Sequence, residues 1–175
     1  MSRDSCTLHR LTHITSHEVG QLAELLIDVV DSGASVGFMH PLAREHAEAF
    51  WTAIAHEVAL GRRALIAATD HRGICGTVHL VLAQPDNQPH RADLVKMLVH
   101  RRARRQGVGA ALLLAAENLA RSCGRSLLVL DAVTGGDAAR LYEKHGWLKV
   151  GDIPGYARYP DGRPCGTTYY YRILA

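Results

Sequence analysis

Hydrophobic and polar residues alternate along the chain with two different periods, which predict helices and strands in turn. Near the N-terminus, Thr7–Leu11 indicates a short strand, and apolar positions with helical spacing follow it. Thr15 and Glu18 have the spacing of a capping box, so this first helix is expected to begin just after Thr15. A second helix is predicted to open at Pro41 and to run to Gly61.

The rest of the chain alternates between apolar runs and helical patterns. Runs bounded by turn residues predict strands at Ala64–Ala68, Ile74–Leu82, Asp93–Val99, Ser126–Asp131, Trp147–Val150 and Thr167–Leu174. Helices are predicted after residue 107 and over Ala138–His145. No linker or internal repeat interrupts this succession, which predicts a single α/β domain over residues 1–175.

The helix after residue 107 has the clearest pattern of apolar positions. Its buried face is predicted to contain Val108, Leu112, Ala115, Leu119 and Cys123. Glu117 and Arg121 are four residues apart and are expected to form an exposed ion pair on the opposite face.

Two glycines stand where a strand passes into this helix, at Gly107 and Gly109. Backbone N–H groups there have no intrahelical acceptor and lie at the positive end of the helix dipole, which favours a phosphate or pyrophosphate. A P-loop would need a lysine followed by Ser or Thr, and a dinucleotide fingerprint would need glycine where Leu112 stands. A glycine-containing turn with a solvated arginine cluster is the alternative interpretation.

The segment Arg104–Ala110, which follows a strand ending at Val99, resembles the pyrophosphate loop of the GNAT superfamily of acyl-CoA N-acyltransferases. The segment Asp137–Trp147, with Tyr142 ahead of a Gly-aromatic pair, resembles the closing helix of that superfamily. The resemblance is good over roughly residues 60 to 150 and looser outside them. It implies one GNAT-type domain, with a mixed, mostly antiparallel sheet of about seven strands flanked by about four helices.

The resemblance also implies acetyl-CoA as co-substrate and assigns residues to it. The fourth and fifth strands of this fold splay at a bulge, where the pantetheine arm pairs with exposed backbone. The implied cofactor-binding residues are Met97, Leu98, Val99, Arg104, Arg105, Gln106, Gly107, Val108, Gly109 and Ala110. The amide of Leu98 or Val99 would polarise the thioester carbonyl.

Tyr142 is the implied general acid, which protonates the leaving thiolate, although a tyrosine at this place could also simply pack at the end of its helix. Many members carry an asparagine seven residues before this tyrosine, where this chain has Gly135. The role of that asparagine is therefore either absent or taken by Thr134 or Asp137.

Two carboxylates are candidates for deprotonating the incoming ammonium, directly or through water. Asp93 is expected to begin the fourth strand, and Asp131 to end the fifth. Carboxylates facing one cleft could bind a cationic amine and accept its proton. Either residue alone could equally be a surface or capping aspartate.

In this fold the acceptor pocket lies between the loop that joins the first two helices and the hairpin of the last two strands. These segments are Gly33–His40 and Gly155–Gly166 here, and they offer Phe38, Met39, Tyr156, Arg158, Tyr159 and Arg163. Their motifs are most similar to the tabtoxin-resistance type of acetyltransferase, which modifies an amino-acid-like toxin. Arginines near a carboxylate pair suit an amine that carries a carboxylate, such as an amino-acid-like toxin or antibiotic. The alternatives are protein or peptide N-acetylation, an RNA-binding role, and a non-catalytic CoA-binding sensor.

Charge and composition exclude several other classes of function. The net charge of +3 is local to Arg101, Arg102, Arg104 and Arg105, and no aromatic residues lie between them to stack bases, so no nucleic-acid partner is expected. Eleven histidines form no HExxH or Cys/His cluster, so no metal is expected. The N-terminus has no apolar segment, no run is long enough to span a membrane, and the four cysteines are scattered. A cytoplasmic monomer or homodimer is expected.

Overall fold

The computed structural model describes residues 6–174, so the first five residues of the N-terminus discussed above lie outside it. Seven strands and four helices follow one another along this part of the chain. In chain order they are β1 (Thr7–Leu11), α1 (Ser16–Asp31), α2 (Arg44–Ala59), β2 (Arg63–Asp70), β3 (Gly73–Val81), β4 (Arg91–Val99), α3 (Val108–Ser122), β5 (Leu127–Val133), α4 (Asp137–Lys144), β6 (Leu148–Arg158) and β7 (Pro164–Ile173). A short 3₁₀ turn, Arg101–Ala103, links β4 to the loop before α3.

All seven strands form one sheet in the order β1-β2-β3-β4-β5-β7-β6. Neighbouring strands are antiparallel except β4 and β5, which are parallel. The mixed, mostly antiparallel sheet with four helices is therefore confirmed.

The two faces of the sheet carry separate cores, because successive side chains of a strand point to opposite faces. On one face α1 and α2 bury Leu22, Leu26 and Trp51 against Leu65 and neighbouring strand residues. On the other face the buried residues of α3 and α4 pack on alternate residues of β2 to β5. Thr15 and Glu18 form the predicted capping box of α1.

Several element boundaries differ from the sequence prediction, most of them by one to three residues. Helix α2 begins at Arg44 rather than at Pro41. The chain before it stays extended at Ala43, and the His40 amide donates to the carbonyl of Pro160, which holds this stretch against the distant β6–β7 turn. Strand β6 continues to Arg158, well beyond the predicted end at Val150, because two register shifts accommodate the glycines and the proline that interrupt its sequence pattern.

The predicted exposure of Glu117 is wrong. Its carboxylate is buried between α3 and the segment after α4, where it accepts a hydrogen bond from Trp147 Nε1 at 2.9 Å. The buried face of α3 is accordingly rotated from the predicted one. It consists of Val108, Leu112, Leu113, Ala116, Glu117 and Ala120, whereas Ala115, Leu119 and Cys123 are only partly buried.

Candidate active site

The centre of the sheet opens between β4 and β5. Three residue pairs join these strands, ending at Asp93 and Val129, and beyond them the two strands separate. Strand β4 contains a bulge just beyond this level: the two steps from Thr77 to His79 on β3 are matched by three steps from Leu98 to Val95 on β4. Lys96 lies in this bulge with φ of 50°. The wedge-shaped gap therefore begins where regular pairing on both sides of β4 ends.

The bulge also changes which face the β4 side chains occupy. Leu94 packs in the core beneath α3, whereas Leu98 packs in the core beneath α1 and α2. Regular alternation would place both on one face, since they are four residues apart. Met97 and Val99 consequently turn toward the α3 side, and the β4 backbone beside the gap lies between the two cores.

The segment Arg104–Ala110, called the glycine loop below, leads into the N-terminus of α3, which receives no side-chain cap. Gly107 has φ of 85°, a conformation that glycine adopts without a steric penalty. The first backbone N–H groups of the helix, at Val108, Gly109 and Ala110, therefore remain available to a ligand. A Cβ on Gly109 would lie 3.4 Å from the Leu141 side chain, so α4 packs closely on this turn.

Two of the four arginines at the loop pair with carboxylates of α1 and β2. Arg101 pairs with Asp28 of α1 through its guanidinium and its backbone amide. Arg102 donates to Asp70 at 2.9 Å and to the carbonyl of Ile74 at 3.0 Å. These contacts connect the loop to α1 and to the β2–β3 hairpin.

The other two arginines lie closer to the helix N-terminus. Arg104 donates to the Val99 carbonyl at 3.0 Å and to Ser32 Oγ at 2.6 Å. Arg105 has a side chain that is 88% exposed and lies 3.8 Å from Asp137. Arg105 is thus the arginine of this loop that is most open to a bound anion.

Tyr142 projects from α4 into the core next to the gap. It is buried, and its ring lies 5.7 Å from Trp147 and 6.1 Å from Tyr170, measured between ring centroids. Burial, and to a smaller degree the negative charge of Asp131, raises the pKa of Tyr142 well above its ordinary value. Tyr142 therefore stays protonated near neutral pH, so its phenol carries the proton that a general acid would need.

Asp131 and Asp93 face the side of the sheet opposite to α3, because their strand neighbours pack in the α3 core. Both lie inside their strands rather than at the ends. Partial loss of hydration raises the pKa of Asp131, and the charge of Asp93 acts in the same direction, while Lys96 opposes it. Asp93 is held by Arg91 and accepts a hydrogen bond from Gln84 at 3.1 Å. Asp131 is the freer of the two carboxylates.

The two predicted acceptor segments are in contact with each other. Ser35 Oγ donates to the carbonyl of Arg158 at 2.7 Å, in addition to the contact between His40 and Pro160 described above. Within the α1–α2 loop, Phe38 packs edge-on against Phe50 of α2, and Met39 is 49% exposed.

Tyrosines and arginines of the β6–β7 hairpin complete this region. The hydroxyls of Tyr156 and Tyr169 are 3.0 Å apart, and this hydrogen bond, together with burial, raises the pKa of Tyr169 to about 12. Asp131 pairs with Tyr169 across β5 and β7, so the tyrosine pair lies beside that carboxylate. Arg158 donates to the Gly162 carbonyl at 2.8 Å, and Arg163 pairs with Asp161 at 2.8 Å. Both arginines therefore stabilise the turn.

Lys96 and Tyr169 lie in the candidate site beside Asp131 and were missed by the sequence analysis. Lys96 stands in an apolar run, Leu94-Val-Lys-Met-Leu-Val99, where a charged residue is unexpected, and that was the available signal. Its ammonium donates to the Val36 carbonyl at 2.7 Å and lies 5.7 Å from the Phe38 ring centroid. Tyr169 belongs to a run of three tyrosines whose pattern does not distinguish the site face from the core face.

The family profile described as the acetyltransferase (GNAT) domain matches residues 61–148, from the end of α2 to the start of β6. This match spans half of the chain and includes the gap, the glycine loop and Tyr142. The chain belongs to the GNAT acetyltransferase family.

Among relatives of this GNAT domain, an uncharacterised N-acetyltransferase from the hisH-hisA intergenic region of Azospirillum brasilense is 29% identical over 127 residues. That alignment covers 71% of this chain and 74% of the relative. Several solved structures share the fold. An acetyltransferase from Salmonella typhimurium, solved with its cofactor acetyl-CoA, has a TM-score of 0.77 at 18% identity and covers 98% of this chain and 95% of its own.

Two further solved structures show the same fold. A ribosomal-protein-alanine N-acetyltransferase from Brucella melitensis has a TM-score of 0.79 at 18% identity, covering 96% of this chain and 99% of its own. A protein assigned as a phosphinothricin N-acetyltransferase has a TM-score of 0.77 at 21% identity, covering 98% of this chain and 99% of its own. Their names differ in acceptor, so the GNAT fold by itself does not identify the acceptor here.

Two structural tests bear on other classes of site. Over residues 6–174, no helix is long and apolar enough to cross a bilayer. Within the same part of the chain, no three His, Cys, Asp or Glu side chains converge where they could hold a metal ion.

Proposed function

We propose that this protein transfers the acetyl group of acetyl-CoA to the primary amine of a small amino-acid-like molecule, such as a toxin or antibiotic. The observation that carries the proposal is the gap between β4 and β5, which opens next to the uncapped N-terminus of α3 and to Tyr142. An acyl-CoA thioester requires N–H donors that bind its pyrophosphate, unpaired strand backbone that binds its pantetheine arm, and a protonated group near its sulfur.

The residues of the glycine loop fit a pyrophosphate. The amides of Val108, Gly109 and Ala110 would hold its oxygens at the helix N-terminus, and the exposed Arg105 would add a positive charge. A Cβ at Gly109 would lie in contact with the side chains of Leu141 and Val99, so this turn packs directly on α4 and on the end of β4. In the gap, the backbone of Met97, Leu98 and Val99 would pair with the pantetheine arm, and an amide of Leu98 or Val99 would stabilise charge on the thioester oxygen.

The reaction needs a neutral amine and a proton for the departing thiolate. We assign the first task to Asp131, directly or through a bound water, because its raised pKa makes it a better proton acceptor than an ordinary carboxylate. The neutral nitrogen then attacks the thioester carbon, the carbon–sulfur bond breaks, and Tyr142 gives its proton to the sulfur. The nitrogen loses its second proton as the amide forms, and this proton returns through water to the Tyr142 phenolate, while Asp131 releases the first proton to solvent. Asp93 contributes negative charge that attracts the ammonium, while Arg91 and Gln84 hold it in place.

The acceptor side favours a small molecule. The α1–α2 loop and the β6–β7 turn meet through Ser35 and Arg158, so both segments can contact one acceptor. Phe38, Met39 and the Tyr156–Tyr169 pair supply apolar contact area with few fixed polar groups. The solved neighbour assigned to phosphinothricin acetylation gives this class of acceptor some support.

Release of the CoA thiol from acetyl-CoA provides the test. The purified protein would be assayed with L-amino acids, phosphinothricin, aminoglycosides and peptides with free N-termini. Amine-dependent thiol release with small amino acids or phosphinothricin is the expected result. Release with peptides alone would favour a protein-modifying enzyme, and acetyl-CoA binding without transfer to any amine would favour a sensor.

A further inference from the structure

We propose that Lys96 binds the carboxylate of the acceptor and thereby makes the enzyme select amines that also carry a negative charge. This inference rests on the proposed function, since it places the acceptor in the same cleft. It identifies a specificity residue within that cleft.

The β4 bulge determines the position of Lys96. A regular strand would direct this side chain along the alternation that Leu94 follows, into the α3 core. With φ of 50°, Lys96 instead extends under the α1–α2 loop. Its ammonium lies 5.7 Å from the ring centroid of Phe38 in the α1–α2 loop and 5.8 Å from that of Phe50 in α2.

The ammonium of Lys96 is poorly compensated. Of its three N–H donors, one is used by the Val36 carbonyl at 2.7 Å, and no carboxylate of residues 6–174 lies within 4.0 Å of it. Burial lowers the pKa of Lys96, and Asp131 acts on it in the opposite direction without contact. A partly buried cation without an ion-pair partner is costly in the free protein, and a bound anion would relieve that cost.

A second cation lies behind Lys96 and increases the excess of positive charge. The guanidinium of Arg63 donates to Nε2 of the buried His79 at 3.1 Å, and Arg63 Nε has no hydrogen-bond partner. Burial, Arg63 and Lys96 together lower the pKa of His79 to about 3, so this histidine is neutral and offers no negative charge. Asp131 is therefore the carboxylate whose charge acts on Lys96, and the positive charge of Arg63 opposes its effect.

The alternative cations of the acceptor region are already engaged. Arg158 binds the Gly162 carbonyl, and Arg163 binds Asp161 and stacks on Tyr159. The cleft thus presents the carboxylates of Asp131 and Asp93 to an ammonium, and Lys96, which has donors left over, to a carboxylate. An α-amino acid carries these two charges on one carbon, whereas a plain amine has only the first.

The experiment compares L-methionine, L-glutamine and L-lysine with their α-carboxamides as acceptors. The parent enzyme should prefer each acid over its amide by at least about tenfold in kcat/KM, because a charged hydrogen bond discriminates by this amount or more. Lys96→Met should remove that preference by lowering kcat/KM for the acids and leaving the amides nearly unchanged. Lys96→Arg, which keeps a positive charge, should retain part of the preference for acids over amides. Lys144→Met, on the exposed face of α4, is the matched control and should retain the parent's preference.

Two outcomes would overturn the inference. One is a parent enzyme that acetylates amides as well as acids, or neither of them while acetylating other amines. The other is an equal loss of kcat/KM for acids and amides in Lys96→Met, which would mean that Lys96 only holds the α1–α2 loop through the Val36 carbonyl. In both cases acetyl-CoA-dependent transfer to an amine would still stand. If acetyl-CoA is bound but no amine of any kind is acetylated, the proposed function fails, and the inference fails with it.

Discussion

Glu117 of α3 accepts a hydrogen bond at 2.9 Å from the indole nitrogen of Trp147, which follows α4 in the chain. Both residues are buried, and Arg172 of β7 approaches the same carboxylate at 3.9 Å. Because the Trp147 ring also contacts Tyr142, this buried contact fixes the distance between the helix of the glycine loop and the helix of the proposed general acid.

Replacing Glu117 should therefore destabilise the fold strongly. In Glu117→Leu the indole N–H loses its acceptor, and the Arg172 guanidinium loses a nearby carboxylate while it keeps its hydrogen bond to the Gly146 carbonyl. We expect a loss of about 2–4 kcal/mol in the free energy of unfolding. Glu117→Gln keeps an acceptor for Trp147 and should lose less. Urea denaturation measures the effect, with the exposed neighbour Asn118→Ala as control. A Glu117→Leu protein as stable as this control would show that the contact contributes little.

Gly107→Val should weaken acetyl-CoA binding at least about tenfold, roughly 1.4 kcal/mol. The positive φ of Gly107 is unfavourable for a β-branched residue, so the turn that aims the α3 amides must change. Gly124→Val is the matched control, because Gly124 has φ of 70° at the other end of the same helix and a Cβ there would also meet nothing. Isothermal titration with acetyl-CoA compares them. Equal affinities in the two folded variants would contradict the pyrophosphate site.

Tyr142→Phe should lower kcat by about 100-fold and leave the dissociation constant of acetyl-CoA nearly unchanged, since its proton is needed only as the thiolate leaves. The raised pKa keeps the tyrosine protonated through the neutral range, so the deficit should be similar at pH 6 and pH 9. Tyr170→Phe removes a neighbouring hydroxyl that donates to Glu143 at 2.8 Å, and it should retain most of the turnover. Full turnover in Tyr142→Phe would mean that water or another group supplies the proton.

Asp131→Asn should reduce kcat/KM for the amine by about 100-fold at pH 7, in the range of a general base. The base works as the carboxylate, and its pKa is raised, so activity of the parent should fall with decreasing pH already above the ordinary aspartate range. The deficit of Asp131→Asn should shrink as pH rises, because free amine becomes abundant. Asp93→Asn should lose less, since Arg91 and Gln84 already hold that carboxylate. A larger loss for Asp93→Asn would reverse the assignment.

Residues whose roles depend on local sequence could be predicted. The strand-to-helix junction at Gly107, the capping box of Thr15 and the position of Tyr142 in its helix follow from spacing over a few residues. The mixed, mostly antiparallel sheet of seven strands with four helices also followed from the family resemblance.

Residues whose roles depend on contacts with distant parts of the chain could not be predicted from the sequence. Glu117 and Arg121 have the spacing of a surface ion pair, and burial of Glu117 is decided by Trp147, thirty residues further along. Lys96 was missed because a one-residue bulge moves it to the other face, and single-sequence alternation does not reveal a bulge. The exposed loop arginines looked equivalent in the sequence, whereas Asp28 and Asp70 bind two of them.

The three residue pairs between β4 and β5 form the narrowest connection in the sheet, while β6 and β7 on one side and β2 to β4 on the other are paired over much longer stretches. The two halves of the domain therefore meet along a seam with few backbone hydrogen bonds, where local opening requires the least free energy. A ligand that occupies this seam and pairs with the free backbone of β4 replaces the missing strand contacts. Substrate binding then becomes part of the folding cooperativity of the domain, and the halves unfold more nearly as one unit when the cleft is filled.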